Sequence, residues 1–203
     1  NPQGTWVLEA WGSNPIQTML DAVDKNRLLV LDLNCSNTEA WRSRAAFNNT
    51  PWVWCAIQNF GGNTGMISKL GTLASRPAAA LADPAKGRMA GIGAVPEGTH
   101  TIPAAYDMLF SHASNGTAPT LVPWARAYTA RRYGKSVPAI DAAWDILLET
   151  ALNQVASIEE PHNSIICARP SLSTTIKART WGTTDIPYDP ARFAEAWGKL
   201  LEA

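Results

Sequence analysis

The run Arg27-Leu-Leu-Val-Leu-Asp-Leu33 constrains this chain more than any other segment. It is apolar without alternation, so a strand built from it hides both faces, as in parallel sheets covered by helices. Two further runs share that character. Pro51-Trp-Val-Trp-Cys-Ala-Ile57 is aromatic and branched, and Met89–Val95 is apolar and punctuated by glycine. Trp6–Trp11 adds a candidate strand near the start. Stretches of helical spacing lie between them. Asn14-Pro15 offers an N-cap and a proline at the first helical position, and Ile16, Met19, Leu20 and Val23 follow at helical intervals. This predicts a helix over Pro15–Lys25. Thr38–Phe47 reads as a weaker helix, Met66–Ala74 as a clearer one, and Pro77–Ala82 extends or follows it. The order β-α-β-α-β-α-β predicts an α/β fold with a parallel sheet or barrel.

After Glu97 the texture changes. Ile102–Ala113, Leu121–Tyr133, Pro138–Leu152 and Pro190–Leu201 carry helical periodicity, with Pro119, Pro123, Pro138 and Pro190 marking starts or breaks. The expected organisation is a barrel portion over 1–98 and an all-helical region over 99–203, parted near Thr99–Thr101. Four strands cannot close a barrel that needs eight. Either the sheet is open or the other strands lie elsewhere. The opening Asn1-Pro-Gln-Gly-Thr5 has no initiator Met and no signal peptide, and it runs straight into a strand. The expectation is a chain that begins inside something larger.

Composition removes several functions. Charged residues make up 17% of the chain and the formal net charge is zero. Nucleic-acid binding needs clustered Lys and Arg. The densest basic patch, Arg126, Arg131 and Arg132, has the spacing of a solvated helix face. No apolar run reaches the length of a membrane span. Cys35, Cys55 and Cys167 are odd in number and lack CxxC spacing, which supports neither a zinc site nor a disulfide framework. Cys55, inside a strand-like run, reads as a buried thiol. Neither GxxxxGK[ST] nor GxGxxG occurs, so nucleotide binding has little support. No metal or organic cofactor is implied.

In α/β architectures ligands gather at the carboxyl ends of the strands. Here those ends present Trp11, Asp32, the loop Gln58-Asn59-Phe60-Gly61-Gly62-Asn63, and Glu97 between Pro96 and Gly98. Aromatic rings stack on sugars, and amides and acids bind hydroxyls, so the set fits a carbohydrate better than a phosphate. Glu97 is either a catalytic acid at the end of a buried strand or an acid satisfied in a tight turn. Asp32 is a catalytic partner or, as preferred here, a structural acid. Glu9 points into a barrel lumen or out toward helices. His162, beside Pro161, has the setting of a surface loop; His100, just past Glu97, either assists it or sits in solvent at a helix N-terminus, and His112 suits a position late in a helix.

Three stretches together resemble one family. They are Pro51-Trp-Val-Trp-Cys-Ala-Ile-Gln-Asn-Phe-Gly-Gly-Asn63, Gly91-Ile-Gly-Ala-Val-Pro-Glu-Gly98, and His162-Asn163 followed by Arg169-Pro-Ser-Leu172. They look like the α-N-acetylglucosaminidases, the family 89 glycoside hydrolases. Arg27–Leu33 and Ala130-Arg-Arg-Tyr-Gly134 match in the same order. The resemblance implies a partial (β/α)8 barrel of about four βα units followed by helices. It implies hydrolysis of terminal α-linked N-acetylglucosamine with retention, and a secreted or lysosome-like location. It places the nucleophile on Glu97 and sugar contacts on Trp11, Ile57, Phe60 and His162. Asn59 joins them by its position. The family's acid/base is a Glu preceded by Asn, and no Asn-Glu pair occurs in these residues. The resemblance therefore puts that group outside them, in a missing N-terminal portion or a second chain that completes the barrel. The expected partner is a glycan ending in α-GlcNAc. A non-catalytic carbohydrate-binding module and a helical interaction domain are the competing readings.

Overall fold

The computed structural model describes residues 1, 3–62, 65–98, 102–111, 116–154, 172–173 and 186–203. Strands β1 (Trp6–Ala10), β2 (Leu28–Asp32), β3 (Trp52–Gln58) and β4 (Met89–Pro96) form one sheet in chain order, every neighbour parallel. Each parallel step needs a crossover. Helix α1 (Gln17–Ala22) makes the first, α2 (Ala40–Ser43) and α3 (Ala45–Asn49) the second, and α4 (Leu70–Ala82) the third. This is the run of successive βα units that builds half of a (β/α)8 barrel. The all-helical part follows with α5 (Pro103–Phe110), α6 (Leu121–Tyr133), α7 (Pro138–Glu149) and α8 (Pro190–Leu201). Helix α5 packs on α4 and β4.

The pleat sorts strand residues by parity. Leu28, Val30, Asp32, Trp52, Trp54 and Ala56 are buried under the helices. The opposite set lines up across the register as Val7–Leu29, Glu9–Leu31–Val53 and Cys55–Gly93, then Ile57–Val95. This second face is the one a closed barrel turns inward. Glu9 belongs to it, which decides between the two directions open to that side chain.

Tryptophans hold the helix layer to the sheet. The Trp41 and Trp52 rings stack at 5.2 Å, and Phe47 meets Trp52 edge-on at 6.2 Å. The Glu39 carboxylate accepts the indole N–H of Trp54 at 3.1 Å and of Trp41 at 3.3 Å. Truncating any of these buried rings costs about 3–5 kcal/mol in typical cores.

Several expected helices differ, α7 among them, which ends at Glu149 rather than Leu152. The first is shorter than Pro15–Lys25, because Ile16 is still extended and regular structure ends at Ala22. Thr38–Phe47 is not one helix. It breaks at Arg44, and Ala45–Asn49 form a left-handed turn with φ between +45° and +60°. Left-handed backbone costs L-residues about 1–2 kcal/mol each. Full burial of Phe47 against Trp52 recovers part of this, and the Arg44 guanidinium lies over the Phe47 ring and bonds the Asn14 carbonyl at 2.6 Å. Helix α4 instead runs through Pro77, joining the last part of Met66–Ala74 to Pro77–Ala82.

In the helical region Trp124, Tyr128 and Trp144 form one cluster, with Trp124 stacked on Tyr128 at 5.1 Å. Arg126 of α6 grips both oxygens of Asp145 of α7 at 2.6 Å. Past α7 the chain returns to the segment that leads into α4, where the Ser68 N–H donates to the Ala151 carbonyl and the Gln154 N–H to the Ser68 carbonyl, each at 2.9 Å.

Candidate active site

β4 carries its inward-facing set, Gly91, Gly93 and Val95, up to Glu97 at the carboxyl edge. Small residues are needed along it. A Cβ on Gly93 would lie 2.9 Å from Cys55 Sγ. One strand over, Ile57 ends the inward set of β3, and Asn59 follows with φ +60°, its side chain buried. Asn tolerates this backbone better than most residues. The reversal starts the turn Phe60–Gly62, in which Gly61 has φ +66°. That turn aims the Gly61 N–H at Glu97, and Glu97 Oε2 accepts it at 2.6 Å. A short charge-assisted bond of this kind orients a carboxylate.

Trp11 follows β1 directly. Its ring stacks on Phe60 with centroids 5.7 Å apart and an interplanar angle of 18°, and it remains 41% exposed. An exposed stacked pair beside a carboxylate can hold the apolar face of a sugar ring. The geometry therefore brings Trp11, Ile57, Asn59, Phe60 and Glu97 to one edge of the sheet. His162 lies outside the described residues, as do Asn63, His100, His112 and Cys167.

Asp32 is not part of this edge group. It is 1% exposed, and its Oδ2 accepts the Trp41 backbone N–H at 2.9 Å, which secures the first turn of α2. Burial pushes its carboxyl up to about 6, against the pull of that N–H. Cys55 is likewise pushed up to about 12 by burial, so it is an inert thiol at neutral pH.

Sequence reasoning did not find the Gly61 N–H as the partner of Glu97. Nor did it find Gln58, whose Nε2 donates to the Ile67 carbonyl at 2.9 Å and whose Oε1 accepts from Ser68 Oγ at 3.3 Å. Gly61-Gly62 signalled a tight turn, but only the fold says what that turn faces.

Parallel βα units with a carboxylate and stacked aromatics at their carboxyl edge define a partial (β/α)8 barrel of the kind on which glycoside hydrolases are built. Residues 1–115 match the family model for the α-N-acetylglucosaminidase TIM-barrel domain, and residues 124–203 match that for the C-terminal domain. The chain is 33% identical to human α-N-acetylglucosaminidase over 210 residues, covering 98% of this chain and 27% of that protein. Its fold is similar to a family 89 glycoside hydrolase from Clostridium perfringens in complex with PUGNAc, with TM-score 0.88 and 35% identity over 98% of this chain and 22% of that one. It is also similar to a form of the Clostridium perfringens protein with two glutamates replaced by glutamine, in complex with its substrate GlcNAc-α-1,4-galactose. There the TM-score is 0.87 and the identity 34%, over 100% of this chain and 23% of that one. The chain belongs to the α-N-acetylglucosaminidase family of glycoside hydrolases. It spans about a quarter of the length of these relatives.

Proposed function

We propose that this chain is the nucleophile-bearing portion of a retaining hydrolase that removes terminal α-linked N-acetylglucosamine. The observation that carries the reading is the position of Glu97. It ends β4 on the inward face, is held by the Gly61 N–H at 2.6 Å, and sits beside the Trp11–Phe60 stack. In the proposed step a Glu97 oxygen attacks the anomeric carbon as the glycosidic C–O bond breaks, giving a glycosyl-enzyme that water then hydrolyses. The departing oxygen takes its proton from a second carboxyl group, proposed to lie outside these residues. Trp11, Ile57 and Phe60 form the floor under the sugar, and Asn59 and His162 bind its hydroxyl or acetamido groups. The partner is a glycan ending in α-GlcNAc, in a secreted or lysosome-like setting. A further N-terminal portion or a second chain completes the barrel beside β1 and β4, the outer strands among the described residues.

The test is covalent labelling of the full-length protein with a mechanism-based α-GlcNAc probe. The expected adduct maps to Glu97 and vanishes in Glu97→Gln. An adduct elsewhere, or labelling undiminished in Glu97→Gln, removes Glu97 from the role. Sugar binding indifferent to Glu97→Gln in a protein that never labels would favour a carbohydrate-binding module. The 203-residue chain alone is expected to show negligible turnover, because losing acid–base catalysis costs about 10²–10⁴-fold. The division at 98/99 is tested by limited proteolysis. Cutting within 99–101 supports it, and cutting between 115 and 124 moves it past α5.

A further inference from the structure

The loop that holds Glu97 is fastened at its far end by the helical region. Ser68 is the fastening point. Its backbone N–H and C=O both pair with the segment after α7, donating to the Ala151 carbonyl and accepting from the Gln154 N–H, each at 2.9 Å. Its hydroxyl donates to Gln58 Oε1 at 3.3 Å, and Gln58 Nε2 donates to the Ile67 carbonyl at 2.9 Å. Gln58 is the residue immediately before Asn59, so this buried amide closes the loop 59–67 at its base. Alongside, Lys69 and Asn153 form an antiparallel bridge. The Leu70 N–H donates to the Leu152 carbonyl at 3.0 Å. Asn153 Oδ1 accepts the Gly71 N–H at 2.8 Å, at the first turn of α4. Both ends of the loop are then set: one by β3, the other by a strap from a region that among the described residues adds no strand to the sheet.

We propose that Asn153 and Gln58 are positioning residues for the nucleophile, the strap 151–154 fixing, through Ser68 and Gln58, the turn Phe60–Gly62 so that the Gly61 N–H meets Glu97. The inference rests on the reading of Glu97 given above. The effect of these two residues passes through Ser68 and the turn to one backbone N–H. Gly71 shows how tight the fastening is. A Cβ there would lie 2.6 Å from Asn153 Oδ1, so no side chain fits while that bond is kept.

The experiment uses the full-length protein and reads kcat and KM separately on an aryl α-GlcNAc, normalised by active-site titration. Asn153→Ala is expected to lower kcat between about 10- and 100-fold with KM within about twofold, the scale of a small misplacement of a reacting group. Asn153→Asp keeps the acceptor oxygen and is expected to restore most of kcat. Gly71→Ala leaves Asn153 in the chain but fills the place of its oxygen, and is expected to reproduce the loss. Gln58→Met, which keeps the side-chain length without the amide, is expected to do the same. If Asn153→Ala does not fold, Gly71→Ala and Gln58→Met decide. Lowered melting temperature with unchanged kcat per titrated site in these variants overturns the proposal and leaves the strap a purely structural tie. Glu97→Gln runs in parallel. Activity retained there sinks the nucleophile reading instead, whereas its loss beside unaffected strap variants sinks only the positioning role.

Discussion

Asp32 gives a prediction whose sign runs opposite to that of a salt-bridged acid. Its carboxyl is buried among the apolar residues between β2 and α2, and burial raises its pKa from 3.8 to about 6. The folded state therefore holds the proton more tightly than the unfolded chain does. Stability from this group is fully present below the unfolded pKa and is lost as pH rises through the folded value. A shift of roughly two units is worth about 3 kcal/mol in full, of which about 2 kcal/mol falls between pH 4 and pH 7, because pH 4 already lies just above the unfolded value. Asp32→Asn is neutral at every pH and keeps an oxygen to accept the Trp41 N–H. Relative to the parent, the variant should gain about 2 kcal/mol over that interval, whatever its offset at pH 4. The assay is urea unfolding of both proteins at pH 4, 5, 6 and 7. The midpoint difference should drift in favour of the variant by about 1–2 M, given typical urea slopes. Other titrating groups cancel in the comparison. A difference independent of pH would show that Asp32 is not a buried charge, and a drift of opposite sign would show that a cation pairs with it.

Gly93→Ala places a methyl 2.9 Å from Cys55 Sγ and 3.3 Å from Val53 Cγ1. It is expected to destabilise by about 1–3 kcal/mol in thermal melts, with partial rescue by Cys55→Ala; equal losses in both backgrounds would refute the contact. Trp11→Leu removes one half of the stack on Phe60 and is expected to weaken binding of an α-GlcNAc-like inhibitor about 2- to 10-fold, the worth of an aromatic pair. Calorimetry showing unchanged affinity would remove the pair from the sugar platform.

Much of the architecture was written in short-range pattern. The run at Leu28–Asp32 lacks alternation because one face lies under the helices and the other, with Leu29 and Leu31 half-buried here, is the face a closed barrel turns inward, and this pattern pointed to the parallel arrangement. The proline-started helices at Pro138 and Pro190 were legible for a similarly local reason, since proline has no N–H to lose at the first turn. The edge group was legible too, because strand ends converge in this class of fold. Ala45–Asn49 was not. Its left-handed turn exists only because Phe47 is drawn edge-on to Trp52 and Arg44 reaches back to Asn14, contacts that no window along the chain contains.

The amino-acid sequence by itself determined the strand order, the apolar layers, and the presence of a carboxylate and aromatic residues at the strand ends. Those properties follow from periodicity and from where each run stops. Tertiary structure alone decided that Asp32 secures a helix, that Glu9 faces inward, that Gly61 offers its N–H to Glu97, and that a strap from the helical region ties the loop at Ser68. Each of these is a contact between segments far apart in the chain. A hydrogen bond depends on angles and tenths of an ångström, and only the assembled sheet and helices supply them.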